Sequence, residues 1–182
     1  MSRGPVPKAI ILRGPPGVGK SAVRKLLQRR LGEWVRHIDL DAYWGKDEWR
    51  YSQAAFRYAD LQLAPEPILV VEFAWGEPAG LAFPGATRGA NEWMGLLRNA
   101  GREIYPFYLT AQWGDILNRL NERHGREGHH DVLAELGRAS FHEHKHYLFS
   151  YPEGLGITEH TIDTTGKDAD SVAEVVMRVA GV

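Results

Sequence analysis

Gly14-Pro15-Pro16-Gly17-Val18-Gly19-Lys20-Ser21 lies between an apolar run at residues 9–12 and an amphipathic stretch at residues 20–31. The octet fits G-x-x-x-x-G-K-[ST], and an apolar strand before it and a helix after it are the context that pattern requires. Its glycines let backbone N–H groups approach an anion with no side chain between them. A helix starting near Lys20 adds the positive end of its dipole. A loop so built cradles phosphate. Lys20 is then placed to reach β- and γ-phosphates, and Ser21 to hold magnesium through its hydroxyl. A bare Gly-Lys-Ser would carry little weight; the full octet between strand and helix is not a chance turn.

Outward from the octet, short apolar runs alternate with longer amphipathic stretches. This predicts a parallel sheet flanked by helices. The first helix, 20–31, carries Val23, Leu26, Leu27 and Leu31 at helical spacing and ends at Gly32. Strands are predicted at 9–12, 35–38, 68–73, 104–109 and 157–162. Residues 68–73 are apolar on both faces, as a central parallel strand should be. Within the strand predicted at 104–109, Pro106 is the unfavourable residue. Further helices are predicted at 48–63, 90–100, 113–123, 132–148 and 171–179, with a Gly- and Pro-rich loop at 75–89 and a polar break at 125–130. Ser171 and Glu174 have the spacing of a capping box for the last helix.

The chain has 182 residues, 43% of them hydrophobic, which suits a single domain with a real core. A quarter of the residues are charged and the formal net charge is -1, the balance of a globular protein rather than of a nucleic-acid coat. With no cysteine, disulfides and thiolate chemistry are excluded. No apolar run is long enough to span a membrane, and a cytoplasmic location is the default expectation. Residues 1–36 hold nine Lys/Arg against Glu33 alone. A solvated basic helix face is the plainer reading; a surface for phosphate or nucleic acid is the sharper one. His142, His144 and His146 alternate, but on a helix only His142 and His146 share a face, and no third metal ligand accompanies them. His124, His129 and His130 flank the polar break and read as solvated loop.

Four further segments carry a resemblance. They are His37-Ile38-Asp39-Leu40-Asp41-Ala42-Tyr43-Trp44, the run Ile68-Leu69-Val70-Val71 ending in Glu72, the stretch 113–126 with Leu117, Arg119, Leu120 and Arg123, and Ile162-Asp163-Thr164-Thr165-Gly166. With the octet, they resemble the P-loop kinases that phosphorylate small molecules or nucleic-acid ends. Relatives of these include polynucleotide 5′-kinases, chloramphenicol phosphotransferases and zeta toxins. The resemblance implies an α/β three-layer sandwich around a five-stranded parallel sheet in the order 2-3-1-4-5, one domain over 1–182, and a lid at about 119–131. It implies ATP and magnesium, with Gly14, Pro15, Pro16, Gly17, Val18, Gly19, Lys20 and Ser21 around the phosphates and Thr165 and Gly166 beside the base.

By the same resemblance, Asp41 takes the proton of an acceptor hydroxyl, and Asp39 lies near the magnesium and its waters. Glu72, in the position of a Walker B acid, binds magnesium through water or faces the acceptor. Arg123, Arg119 or Arg126 supplies a lid cation to the transferring phosphoryl group. Each has a plainer alternative: Asx caps for the aspartates, a strand-end carboxylate for Glu72, an exposed helix end for the arginines. Several relatives carry an Arg shortly after the catalytic Asp, where this chain has Trp44, with Arg50 and Arg57 farther on. That departure, with Tyr43, Trp49 and Trp75 nearby in sequence, favours a small sugar-like or aromatic acceptor over a nucleic-acid end. The expected function is an ATP-dependent kinase acting on a small-molecule hydroxyl. A polynucleotide 5′-hydroxyl kinase and a non-kinase ATP-binding regulatory module are the alternatives. A GTPase switch is disfavoured because the guanine motif Asn-Lys-x-Asp is missing.

Overall fold

Every apolar run whose surroundings are visible becomes a strand, and every amphipathic stretch a helix. A computed structural model describes residues 6–39, 64–73, 90–127 and 157–182. Strand β1 (Lys8–Arg13) leads through the octet into helix α1 (Lys20–Leu31), and a 3-10 turn (Gly32–Trp34) leads into β2 (Val35–Asp39). Then follow β3 (Ile68–Phe73), α2 (Ala90–Asn99), β4 (Glu103–Thr110), α3 (Trp113–Glu127), β5 (His160–Asp163) and α4 (Ala169–Ala180). The five strands are parallel in the order β2-β3-β1-β4-β5, as expected from the sequence. The helices predicted at 48–63 and 132–148 and the loop at 75–89 lie outside the described residues.

Alternate residues of the central strands feed two cores. Ile10, Leu12, Val70, Phe107 and Leu109 pack with Val23 and Leu27 of α1, Ile116 and Leu120 of α3, and Val172 and Val176 of α4. Ala9, Ile11, Leu69 and Val71 pack on the other face with Met94 and Leu97 of α2. The sheet is thus covered on both sides, the three-layer arrangement. β1 sits at its centre and delivers the octet to the carboxyl end, where ligands bind in open α/β sheets.

Four points of the sequence reading meet the structure here. The strand predicted at 104–109 forms as β4 with Pro106 inside it. Thr110 turns its carbonyl toward the β5 side, accepting from Thr164 N–H at 2.8 Å, and backbone groups alternate sides, so Pro106 faces the same way. β5 pairs with β4 only from Phe107 onward, so the missing N–H falls short of any partner strand. Secondly, α3 runs through Gly125 to Glu127, where a polar break was expected. Thirdly, β5 begins at His160 rather than at Ile157. Fourthly, α4 starts earlier than residue 171: Asp168 is its N-cap and accepts from Ser171 N–H at 2.7 Å. The capping box expected from Ser171 and Glu174 is replaced by this aspartate cap.

The basic N-terminal region is not simply a solvated face. Arg30 pairs with Asp170 at 2.8 Å, Arg24 with Glu72 at 3.1 Å, and Arg13 with Glu159 at 2.6 Å. Lys8 Nζ donates to Ala180 O at 2.6 Å and Gly181 O at 2.8 Å, where a cation meets the negative end of α4.

Candidate functional site

The octet wraps the carboxyl end of β1. Gly14, Gly17 and Gly19 have φ of 137°, 85° and 99°. A Cβ on Gly14 would stand 2.2 Å from Leu109 O, so the loop leaves the sheet by passing directly against the β4 backbone. Val18 is buried in the core and pins the middle of the loop. Gly19 caps α1 without a side-chain hydrogen bond, and the first turn holds no acid. The leading N–H groups of α1 therefore have no side-chain acceptor from the cap, an arrangement suited to an anion. Lys20 is buried, its Nζ donating to Gly14 O at 2.7 Å and Pro15 O at 3.3 Å. The ammonium is thus held inside the curl of the loop.

One residue on, Ser21 Oγ donates to Glu72 Oε1. Residues 68, 70 and 72 share one face of β3, which turns the carboxylate toward α1. Glu72 is only 3% exposed. Burial pushes its pKa up, yet His37 and Ser21 beside it and the charges of Lys20 and Arg24 outweigh that and hold it below the ordinary carboxylate value. Its other oxygen, Oε2, accepts from Arg24 Nε at 3.1 Å. Arg24 NH1 lies 3.1 Å from His37 Nδ1. A guanidinium can only donate, so Nδ1 accepts and the imidazole proton sits on Nε2. That nitrogen is buried, has no hydrogen-bond partner among the described residues, and stands 3.7 Å from Glu72 Oε2, an electrostatic contact rather than a bond. Asp39 is in register with Glu72 on the neighbouring strand. Ser21 and Glu72 together offer the hard oxygen donors that magnesium prefers. Among the described residues no cluster of three or more His, Asp or Glu forms a separate metal site.

The far side of the loop is closed by α3 and the turn after β5. Arg119 NH1 donates to Thr164 Oγ1 at 3.0 Å and lies within 3.5 Å of Gly17 O and Val18 O, while NH2 donates to Thr164 O at 2.7 Å. Thr164 is buried and donates on to Val18 O or Thr110 O, both at 3.1 Å. Arg119 is thus brought against the octet, held by Thr164 and by the loop carbonyls of Gly17 and Val18. Arg123 lies one turn further along α3, half-buried; Arg126 belongs to the same helix. Thr165 Oγ1 donates to Asp163 at 2.6 Å and accepts from Gln112 N–H, and Gly166 N–H donates to Asp115 at 2.7 Å. The Thr165–Gly166 turn is therefore held rigidly beside the start of α3. Those bonds from Thr165 keep Asp163 below its ordinary pKa.

Arg13, directly before the octet, is 1% exposed. It makes two bonds to Glu159, at 2.6 and 2.7 Å, and stacks 4.8 Å over the Tyr108 ring. Arg13, Arg24, His37 and Thr164 were not singled out as site residues in the sequence. Nothing in the sequence alone gives His37 its contact with Arg24 of α1. Asp41, the aromatic residues Tyr43, Trp44, Trp49 and Trp75, the residues Arg50 and Arg57, and His129, His130, His142, His144 and His146 all lie outside the described residues.

No protein-family model matches the chain, and no curated protein is similar to it in sequence. Solved structures are similar in fold. The YorR protein from Bacillus subtilis, in complex with phosphorylated GDP, superposes with a TM-score of 0.62 at 17% identity over 96% of each chain. A gluconokinase from Sinorhizobium meliloti 1021 gives 0.55 at 16% identity, over 98% of this chain and 96% of that one. The Mycobacterium tuberculosis APS kinase CysC, in complex with AMPPNP and APS, gives 0.54 at 17% identity, over 98% of this chain and all of that one. At these identities the likeness is one of fold: a P-loop α/β sandwich, matched along nearly the whole chain.

Proposed function

We propose that this chain is an ATP-dependent kinase transferring a γ-phosphoryl group to a hydroxyl of a small molecule. The observation that carries the reading is the pairing of Ser21 with an ionised, buried Glu72 beside Lys20. A phosphate loop needs only glycines and a lysine. A carboxylate held charged against the loop serine adds the oxygen pair that a magnesium–nucleotide requires. Ser21 and Glu72 would hold magnesium there, and the cation would offset charge on the phosphates. Lys20 exchanges the carbonyls of Gly14 and Pro15 for phosphate oxygens, a stronger charge-assisted bond. Arg119 supports the loop from the α3 side, and Arg123 is the lid cation. Thr165 and Gly166 border the base. Asp41 accepts the proton of the acceptor hydroxyl late in transfer.

Two things favour a small acceptor over a nucleic-acid end. The similar folds include a gluconokinase and an APS kinase. Four N-terminal arginines that could have met a phosphate backbone are instead matched with acids of this chain.

Terminally labelled ATP with a panel of sugars, sugar acids, nucleosides and 5′-hydroxyl oligonucleotides tests the proposal. Label should pass to a small hydroxyl compound, and Asp41→Asn should still bind ATP but transfer about 100-fold more slowly or worse. Label appearing only as inorganic phosphate with every acceptor would point to a nucleotide-binding module instead. Full transfer by Asp41→Asn would remove Asp41 as the base.

A further inference from the structure

We propose that Arg24 is a positioning residue for the magnesium pair: it grips the outer oxygen of Glu72 and leaves the inner one for Ser21 and the cation. The inference rests on the reading of Ser21 and Glu72 given above and assigns the residue that arranges them.

Glu72 is the last residue but one of β3, and a carboxylate there can rotate about its side-chain bonds. Three side chains from two elements converge to stop it. Ser21 and Arg24 come from α1, three residues apart and on one helix face. His37 comes from β2. Arg24 Nε holds Oε2 at 3.1 Å, and NH1 reaches His37 Nδ1 at 3.1 Å. The guanidinium is planar and permanently charged, so these two donors point in fixed directions. By occupying Nδ1, Arg24 also sets the tautomer that turns His37 Nε2–H toward the same oxygen, 3.7 Å away. Oε2 is thereby fixed by the Arg24 bond, with His37 Nε2 an electrostatic neighbour, and Oε1, which accepts from Ser21, is the oxygen turned to the loop. Arg24 is itself mostly covered, its side chain 16% exposed, so the pair is poorly screened. Lysine, with a single charged point on a flexible stem, could meet Glu72 but not Glu72 and His37 together.

The test separates the metal from the fold. ADP binding is measured by calorimetry in magnesium chloride and again in EDTA, for wild type, Arg24→Gln, Arg24→Lys and Glu72→Gln, with thermal melting of each. Arg24→Gln should weaken binding in magnesium by about tenfold or more, the usual effect of losing a group that orients a metal ligand. In EDTA its affinity should stay within about twofold of wild type, since neutral contacts to the loop are untouched. The double variant Arg24→Gln/Glu72→Gln should be no weaker than Glu72→Gln alone, because both act through one carboxylate. Arg24→Lys should fall between. If Arg24→Gln loses its melting transition, Arg24→Lys carries the same comparison. Equal losses with and without magnesium would make Arg24 a structural residue of α1 and overturn the proposal, as would no loss at all. A wild-type protein that binds ADP no better with magnesium than without would overturn the Ser21–Glu72 reading, and this inference with it.

Discussion

A single carbonyl decides what can stand first in the octet. Gly14 has φ of 137° and its missing Cβ would lie 2.2 Å from Leu109 O, a backbone atom that cannot turn aside. Gly19 has φ of 99° but nothing within 4 Å of the same position. Gly14→Ala therefore combines backbone strain with a collision, and Gly19→Ala carries strain alone. The first should cost about 2–4 kcal/mol and the second about 1–2 kcal/mol. Thermal melting distinguishes them, Gly14→Ala falling by roughly 5–15 °C and Gly19→Ala by clearly less. Equal falls would mean that the close approach of β1 and β4 is relaxed easily. The octet was readable in the sequence because its requirements are local: glycine where side chains are forbidden, then lysine and serine at the helix start. The grip of Arg24 on Glu72 was not. Those residues are 48 apart, and their meeting depends on the register of three elements. In the sequence Arg24 was one basic residue among nine.

Periodicity foretold the elements well wherever a face had to be buried. Helix α1 was legible at both ends, because Gly19 and Gly32 bracket a clean apolar stripe. Ends set by side-chain capping rather than by burial were less legible. Asp168, not Ser171, caps α4, and the distinction can be measured. Asp168→Ala removes the acceptor of the Ser171 N–H and should lower the melting temperature by about 2–4 °C. Ser171→Ala keeps the backbone N–H that makes that bond and should change it by less than about 1 °C. A larger effect of Ser171→Ala would restore the serine cap. Similarly, Gly125 read as a break because glycine is a poor helix former, worth about 1 kcal/mol against alanine. The apolar stripe of Ile116 and Leu120 anchors α3 in the core, and the helix carries on to Glu127. Pro106 lacks one donor, and β4 tolerates it because pairing with β5 begins only at Phe107.

Across the molecule, positive charge from the N-terminal third is answered by acids from far along the chain: Arg24 by Glu72, Arg13 by Glu159, Arg30 by Asp170. Stability should accordingly depend on keeping carboxylates ionised. Glu72, Asp163 and Asp168 all sit below their ordinary pKa, Glu72 despite burial, Asp163 through Thr165, and Asp168 through Ser171. A group depressed in the fold binds fewer protons there than in the unfolded chain. Its stabilisation is therefore complete above the unfolded pKa, about 4.3 for Glu and 3.9 for Asp, and is lost as pH falls through the lower folded value. Urea midpoints should change little on account of these groups between about pH 7 and pH 5, then drop steeply below about pH 4. Glu72 can be isolated within that drop. Gln is nearly the shape of a protonated Glu, so Glu72→Gln resembles the wild-type protein in acid. Glu72→Gln should be less stable than wild type near neutrality, where it forfeits the charged contacts with Arg24 and Lys20. The gap should close as the pH falls, because wild-type Glu72 then takes up its own proton. A gap that stayed constant down to about pH 3 would mean that Glu72 is not the ionised partner its surroundings require. It would also undercut the magnesium pair, since a carboxylate already protonated in the fold has no charge to offer a cation.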